Sequence, residues 1–246
     1  MEQTKIIMGM PITVAVAGGD ADIFDEVFSY FEYVDEKFSP FKEESELSLM
    51  NAGRLNSDDL SGDMRSVLEL AERTKRETAG YFDVVNPKGA IDLSGLVKGW
   101  AIENAARLIK ERGYNDFFVD AGGDVAVGGR NGRGEDWTIG IRNPFSKSGV
   151  VKSVKLRDGQ GIATSGTYER GGHIWNPKDR TAAPLDIVSL TVIGPNVYEA
   201  DRFATAACAM GRAGVRFIES QPDLEAYSID RDGIATMTSG FKNYVA

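Results

Sequence analysis

The sequence predicts a mixed α+β fold. Short runs rich in β-branched and aromatic residues come in groups, and helices fall between the groups without strict β-α alternation, which argues against a doubly wound parallel sheet. Hydrophobic residues make up 42% of 246 positions, enough to fill one large core. No linker, low-complexity tract or fixed-period repeat divides the chain, so residues 1–246 read as a single domain.

The first element is apolar and β-branched from Ile6 to Ala17 and stops at Gly18-Gly19-Asp20, which predicts a strand and a turn. Ile23, Phe24, Val27, Phe28, Phe31 and Val34 then repeat at three and four residues, the spacing of one apolar helix face, with Asp20 or Asp22 available as its cap. A second amphipathic helix is expected from about Leu60 to Thr78, ended by Gly80, and a third from about Val97 to Arg112, with Gly113 at a left-handed cap. Strands are expected at Phe117–Val119, Asp124–Val127, Trp137–Ile141, Val150–Leu156 and Ile187–Ile193. A helical region from Tyr198 to Ser220, broken near Gly211 and Gly214, precedes two strands joined by Asp230-Arg231-Asp232-Gly233.

Composition excludes several functions. A net charge of -9 and no block of Lys and Arg make nucleic acid and anionic membranes poor partners. No apolar run approaches the roughly 20 residues of a membrane span, and Met1-Glu2-Gln3-Thr4-Lys5 lacks the apolar core of a signal peptide. The sequence as given therefore reads as cytoplasmic, as would a chain already relieved of an export signal. The single cysteine, Cys208, lies in an apolar run and reads as a buried small hydrophobe.

Several clusters carry possible chemistry. Asp201 and Thr205 are four apart in an expected helix, so a carboxylate and a hydroxyl share one face. A hard cation such as magnesium takes oxygen ligands of that kind, while an aspartate complementing the helix dipole accounts for the same spacing. In Asp92-Leu93-Ser94-Gly95-Leu96-Val97-Lys98-Gly99, the glycines admit a close ligand, a helix start offers amides to an anion, and Lys98 adds a charge. A plain turn with a solvated lysine is the alternative. The stretch matches neither the Walker A nor the GxGxxG pattern. His173 is the one histidine; it rules out a multi-histidine zinc site and fits either a general base or an idle surface residue. Asp120-Ala121-Gly122-Gly123-Asp124 and Ala163-Thr164-Ser165-Gly166-Thr167 fit ligand-facing loops or strand-end turns, and Phe38, Phe41, Tyr81 and Phe82 fit ring stacking or core packing.

In order along the chain, these segments resemble the ApbE family of FAD:protein FMN transferases. Met8-Gly9, Phe38-Ser39-Pro40-Phe41 with Ser45-Glu46 and Asn51, Gly80-Tyr81-Phe82-Asp83, Asp92 through Gly99, Asp120 through Asp124, Thr164-Ser165-Gly166, His173-Ile174 and Ala200-Asp201 through Thr205 each resemble a family segment. The resemblance implies a T-fold-related α+β architecture of mixed sheets and flanking helices, with FAD and magnesium in a cleft between two lobes. It implies metal ligation by the Gly95 carbonyl, Asp201 and Thr205, and FAD contacts at Met8, Phe41, Tyr81, Phe82, Asp83, Asp92, Lys98 and His173. It further implies transfer of FMN to a threonine or serine of a partner flavoprotein with release of AMP, with His173 or Asp92 as the base. Hydrolysis of FAD to FMN and AMP, or flavin binding without turnover, are the competing readings. Two segments depart from the family's pattern. Only residues 84–91 separate Asp83 from Asp92, which implies a more open cleft, and Asn176-Pro177-Lys178-Asp179-Arg180-Thr181 replaces the Asp-Pro-x-Thr-Gly expected after the histidine.

Overall fold

The apolar N-terminal stretch folds as a hairpin, not as the single strand expected over residues 6–17. β1 (Glu2–Ile7) and β2 (Met10–Val16) pair antiparallel, with Ile7 opposite Met10. Between them Met8 and Gly9 have φ of 55° and 72°. Two successive left-handed residues close the tight link that suits twisted strands. Methionine carries no turn signature, so propensity could not reveal it. This computed structural model describes residues 1–146, 148–166, 175–179, 181–182 and 186–246.

The helix α1 (Ala21–Phe38) begins where the Asp20 carboxylate accepts the Ile23 amide at 3.1 Å. Its buried face is Ile23, Phe24, Val27, Phe28, Phe31, Val34 and Phe38. Each such burial contributes roughly 1.5–3 kcal/mol, whereas residue-to-residue helix propensity differs by less than about 1 kcal/mol. Docking on the sheet therefore holds this β-branched and aromatic sequence helical. The short helix α2 (Glu46–Asn51), capped by Ser45, was not expected from periodicity, and α3 (Gly62–Glu77) follows.

The helix α4 (Ser94–Glu111) starts before the expected Val97. The Asp92 carboxylate accepts the Ser94 amide at 3.0 Å, and the Leu93 carbonyl accepts the amides of Leu96 and Val97. Gly95 and Gly99 consequently lie inside the helix and not in a loop ahead of it. The remaining elements are β3 (Phe117–Ala121), β4 (Asp124–Gly128), β5 (Trp137–Arg142), β6 (Val150–Leu156), β7 (Gly161–Gly166), β8 (Trp175–Asn176), β9 (Thr181–Ala182), β10 (Ile187–Gly194), α5 (Val197–Ala209), α6 (Ala213–Glu219), β11 (Glu225–Asp230) and β12 (Ala235–Met237).

Eight strands form one antiparallel sheet in the order β1-β2-β3-β4-β7-β10-β11-β12. The hairpin β5–β6 leaves the sheet after β4 and covers one of its faces: Ile141, Val154 and Leu156 pack with Val125, Val127, Ile162, Ile193, Tyr227 and Ile229. Helices cover the other face in two groups. One gathers α1, α3 and α4 over Ile12, Val14, Val119 and Ala126; the second gathers α5 and α6 over Ala163, Leu190, Val192 and Ala226. Where the two groups meet, α4 packs along α5. Among the described residues, no helix is long and apolar enough to cross a membrane.

Candidate active site

Glycine decides how closely α4 and α5 approach. Gly95 and Gly99 lie one turn apart on α4, opposite Asp201 and Thr205, one turn apart on α5. A Cβ on Gly99 would sit 2.6 Å from Asp201 Cβ, and one on Gly95 would sit 3.0 Å from Thr205 Cγ2. With hydrogen in their place, the Gly99 amide donates to Asp201 Oδ2 at 2.8 Å, and the Thr205 hydroxyl lies 3.4 Å from the Gly95 carbonyl oxygen. Ser165 on β7 adds a second hydroxyl, 3.3 Å from Thr205 Oγ1. The carbonyl, carboxylate and hydroxyl expected to hold a metal are thus brought together.

Around them three acidic groups, Asp201, Asp124 and Asp120, lie within the electrostatic reach of Lys98, and Asp120 also within that of Arg142. Asp201 is 3% exposed, and burial first, then the charge of Asp124, push its carboxyl up to about 7, against the pull of Lys98 and the Gly99 amide. Asp124, 1% exposed, forms an ion pair with Lys98 at 2.6 Å and accepts the Thr164 amide at 2.9 Å. Asp120 accepts the Gly123 amide at 2.7 Å, and its burial raises its carboxyl above the usual range. Among the described residues no group of three His, Cys, Asp or Glu side chains forms a ligand cage. One carboxylate with a carbonyl and a hydroxyl suits magnesium, which takes few protein carboxylates and leaves positions for water and substrate phosphates.

The expected flavin contacts are placed unevenly around this cluster. Phe82 is buried against Gly95 and donates its amide to Thr78 Oγ1 at 3.1 Å. Tyr81 is half-buried, with the Lys178 ammonium 4.3 Å above its ring, so the altered loop after His173 reaches the Tyr81 turn. Asp83 pairs with Lys75 at 2.7 Å and accepts the Val85 amide. Met8 is half-buried at the β1–β2 turn, Asp92 is exposed and accepts the Ser94 amide just ahead of α4, and Phe41 stands out at 93% exposed. Lys98 reaches the cluster through Asp124. His173 lies outside the described residues.

The short segment between Asp83 and Asp92 is a tight hairpin, with Val85 opposite Ile91 and the Asn86 amide on the Ala90 carbonyl at 2.9 Å. The Asn51 side chain bonds both the amide and the carbonyl of Ile91 at 2.8 Å each. This fastens the hairpin to α2.

Sequence reasoning assigned no individual role to Asp120, Asp124, Thr164 or Ser165, although it had marked both of their segments; their place on adjacent strands of the sheet is what a glycine-rich string conceals. It also passed over Arg202. That side chain is 2% exposed, joined to Glu77 of α3 at 2.5 Å and to Glu199, with its guanidinium 4.1 Å from the Phe203 ring centre. An arginine inside an alanine-rich helical stretch was the available signal.

The model of the ApbE family matches residues 8–87 and 85–228, two stretches that meet inside the short hairpin. The chain belongs to the ApbE family. Among similar proteins, the FAD:protein FMN transferase of Escherichia coli (strain K12) is 30% identical over 166 residues, covering 63% of this chain and 47% of that protein. The chain spans about half the length of the first curated relatives it matches. Two solved structures share the fold across nearly both chains: the flavin transferase ApbE from Vibrio cholerae, at 22% identity, 99% and 98% coverage and a TM-score of 0.84, and the ApbE protein of Thermotoga maritima, at 21% identity, 100% and 99% coverage and a TM-score of 0.87.

Proposed function

We propose that this ApbE-family chain is a magnesium-dependent FAD:protein FMN transferase that moves the FMN half of FAD onto a threonine or serine hydroxyl of an acceptor flavoprotein and releases AMP. The observation that carries the reading is the α4–α5 crossing, where the Gly95 carbonyl, Asp201 carboxylate and Thr205 hydroxyl converge beside the buried Asp124 and its partner Lys98. Those three groups would hold the metal, whose chemistry when bound is to draw charge from the pyrophosphate as it is split.

The chain's own groups do the rest. Lys98, held by Asp124 with 21% of its side chain exposed, fixes a positive charge beside the cluster without becoming freely solvated. The Tyr81–Asp83 turn, packed on α4 through Phe82, offers the half-buried Tyr81 ring to the flavin. In the transfer step the acceptor oxygen bonds to the FMN phosphorus, the bond from that phosphorus to the AMP oxygen breaks, and the hydroxyl proton passes to a base, a role we assign to His173 or Asp92.

The test is intact mass of an acceptor flavoprotein domain incubated with this protein, FAD and magnesium, with nucleotide chromatography and an Asp201→Ala control. An FMN-sized increase with AMP release, absent in the control, is expected. AMP and free FMN without a mass change would mean hydrolysis; intact FAD with any genuine acceptor and either magnesium or manganese would leave a flavin-binding module. Separate replacement of His173 and Asp92 identifies the base, since near-normal transfer excludes the residue replaced.

A further inference from the structure

In an α-helix each amide donates to the carbonyl four residues earlier, so the regular acceptor for Gly99 is the Gly95 carbonyl. That carbonyl is the one the metal site requires. Yet the Gly99 amide donates across the helix crossing to Asp201 Oδ2 at 2.8 Å, and a bond to a carboxylate is about twice as strong as one between neutral groups. The Gly95 carbonyl meanwhile faces α5, where Thr205 Oγ1 lies 3.4 Å away. We propose that Gly99 is a positioning residue of the metal site: by giving its amide hydrogen to Asp201, it releases the Gly95 carbonyl for ligation and leaves Asp201 one oxygen for the metal. The inference rests on the metal-binding part of the proposed function.

Position 99 must be glycine for this arrangement. Any Cβ there would lie 2.6 Å from Asp201 Cβ and 2.8 Å from the oxygen that accepts the bond, forcing the helices apart. Position 95 is less restrictive, because the nearest atom to an added Cβ is a methyl carbon at 3.0 Å. A consequence for specificity follows. With one lone pair of Oδ2 taken by the Gly99 amide, binding of Asp201 through a single oxygen is favoured, which suits the small octahedral shell of magnesium better than that of calcium, which also accepts carboxylates bidentately and takes six to eight oxygens.

The experiment is NMR on the deuterated, ¹³C,¹⁵N-labelled, metal-free full chain. A scalar coupling across the hydrogen bond from Gly99 nitrogen to Asp201 Cγ is expected, with none to the Gly95 carbonyl carbon; magnesium then shifts the Gly95 carbonyl resonance. A Gly99 coupling to the Gly95 carbonyl, or no magnesium-dependent shift there, overturns the proposal. As a second readout, calorimetry of Gly99→Ala with magnesium and with calcium should show magnesium affinity down about 10- to 100-fold and the preference over calcium narrowed. Unchanged magnesium affinity in a cooperatively folded variant overturns it as well. If that variant fails to fold, the coupling measurement on the unmodified chain still decides. Neither readout involves FMN transfer, so a protein that binds magnesium this way but leaves FAD intact would sink the transferase reading and leave this one standing.

Discussion

Lys98 and Asp124 form an ion pair of 2.6 Å in which the carboxylate is almost wholly buried and the lysine side chain keeps partial contact with solvent. The two partners are therefore not equivalent. Removing the lysine strands a buried charge beside Asp201, whereas removing the carboxylate leaves an ammonium that solvent can reach. Lys98→Met should lower stability by about 3–5 kcal/mol, and adding Asp124→Asn, which keeps an acceptor for the Thr164 amide, should restore part of it. Urea unfolding of the single and double variants checks this; a double variant no more stable than Lys98→Met would show that the stranded charge is not the cause.

Asp201 gives a pH prediction for the metal-free protein. Its carboxyl stands above the ordinary 3.8, at about 7, because burial and Asp124 disfavour its charge. The native state thus binds the proton more tightly than the unfolded one. Stability from this group is greatest below about pH 4 and declines as pH rises toward about 7, where both states are ionised. Asp201→Asn should therefore stabilise the metal-free protein near pH 8 and have little effect near pH 4. The readout is the difference in unfolding midpoint between the two proteins across that range, and a constant difference would refute the linkage.

Arg202 joins α3 to α5 through Glu77 and Glu199. Arg202→Met should cost roughly 1.5–3 kcal/mol, since it removes the charged donors of the buried guanidinium from Glu199 and Glu77 while Arg73 still reaches both. Arg202→Lys should recover little, because a single ammonium cannot reproduce the guanidinium's planar fork. Denaturant midpoints measured at unchanged m-value provide the test.

Asn51→Ala should remove both bonds to Ile91 and destabilise the hairpin between Asp83 and Asp92 by about 1–3 kcal/mol. The effect is expected to be local. Amide exchange should accelerate over residues 85–92 and the first turn of α4 while β3 and β4 stay protected; uniform acceleration would mean that Asn51 supports the whole fold.

Much of the architecture was legible because it follows from periodicity. The α1 face and the α4 body repeat apolar residues at helical spacing, and the strand expected at Ile187–Ile193 is a short β-branched run bounded by turns. What escaped has an identifiable physical origin. The Met8–Gly9 turn depends on a left-handed methionine, and α2 is too short to show a period. The strand Gly161–Gly166 carries small residues because α5 packs closely on it, so it read as a glycine-rich loop. At the site, the Asp201–Thr205 pair was visible from helical spacing. The buried pairing of Lys98 with Asp124 and the hydroxyl of Ser165 were not, since both depend on strands brought beside α4 and α5 from distant parts of the chain.

The sheet is narrowest where its two halves join. Between β4 and β7 the ladder has only the partners Val125↔Ile162 and Ala126↔Gly161, fewer than the five or six matched positions along β1–β2, β2–β3 and β3–β4. Asp124 extends this short seam by accepting the Thr164 amide with its side chain, while its other oxygen holds Lys98. The residue that fastens the seam and the one that balances Lys98 at the site are therefore the same. A ligand seated across α4 and α5 would bridge the same seam, so occupancy should slow amide exchange along β4 and β7 more than at the edges of the sheet.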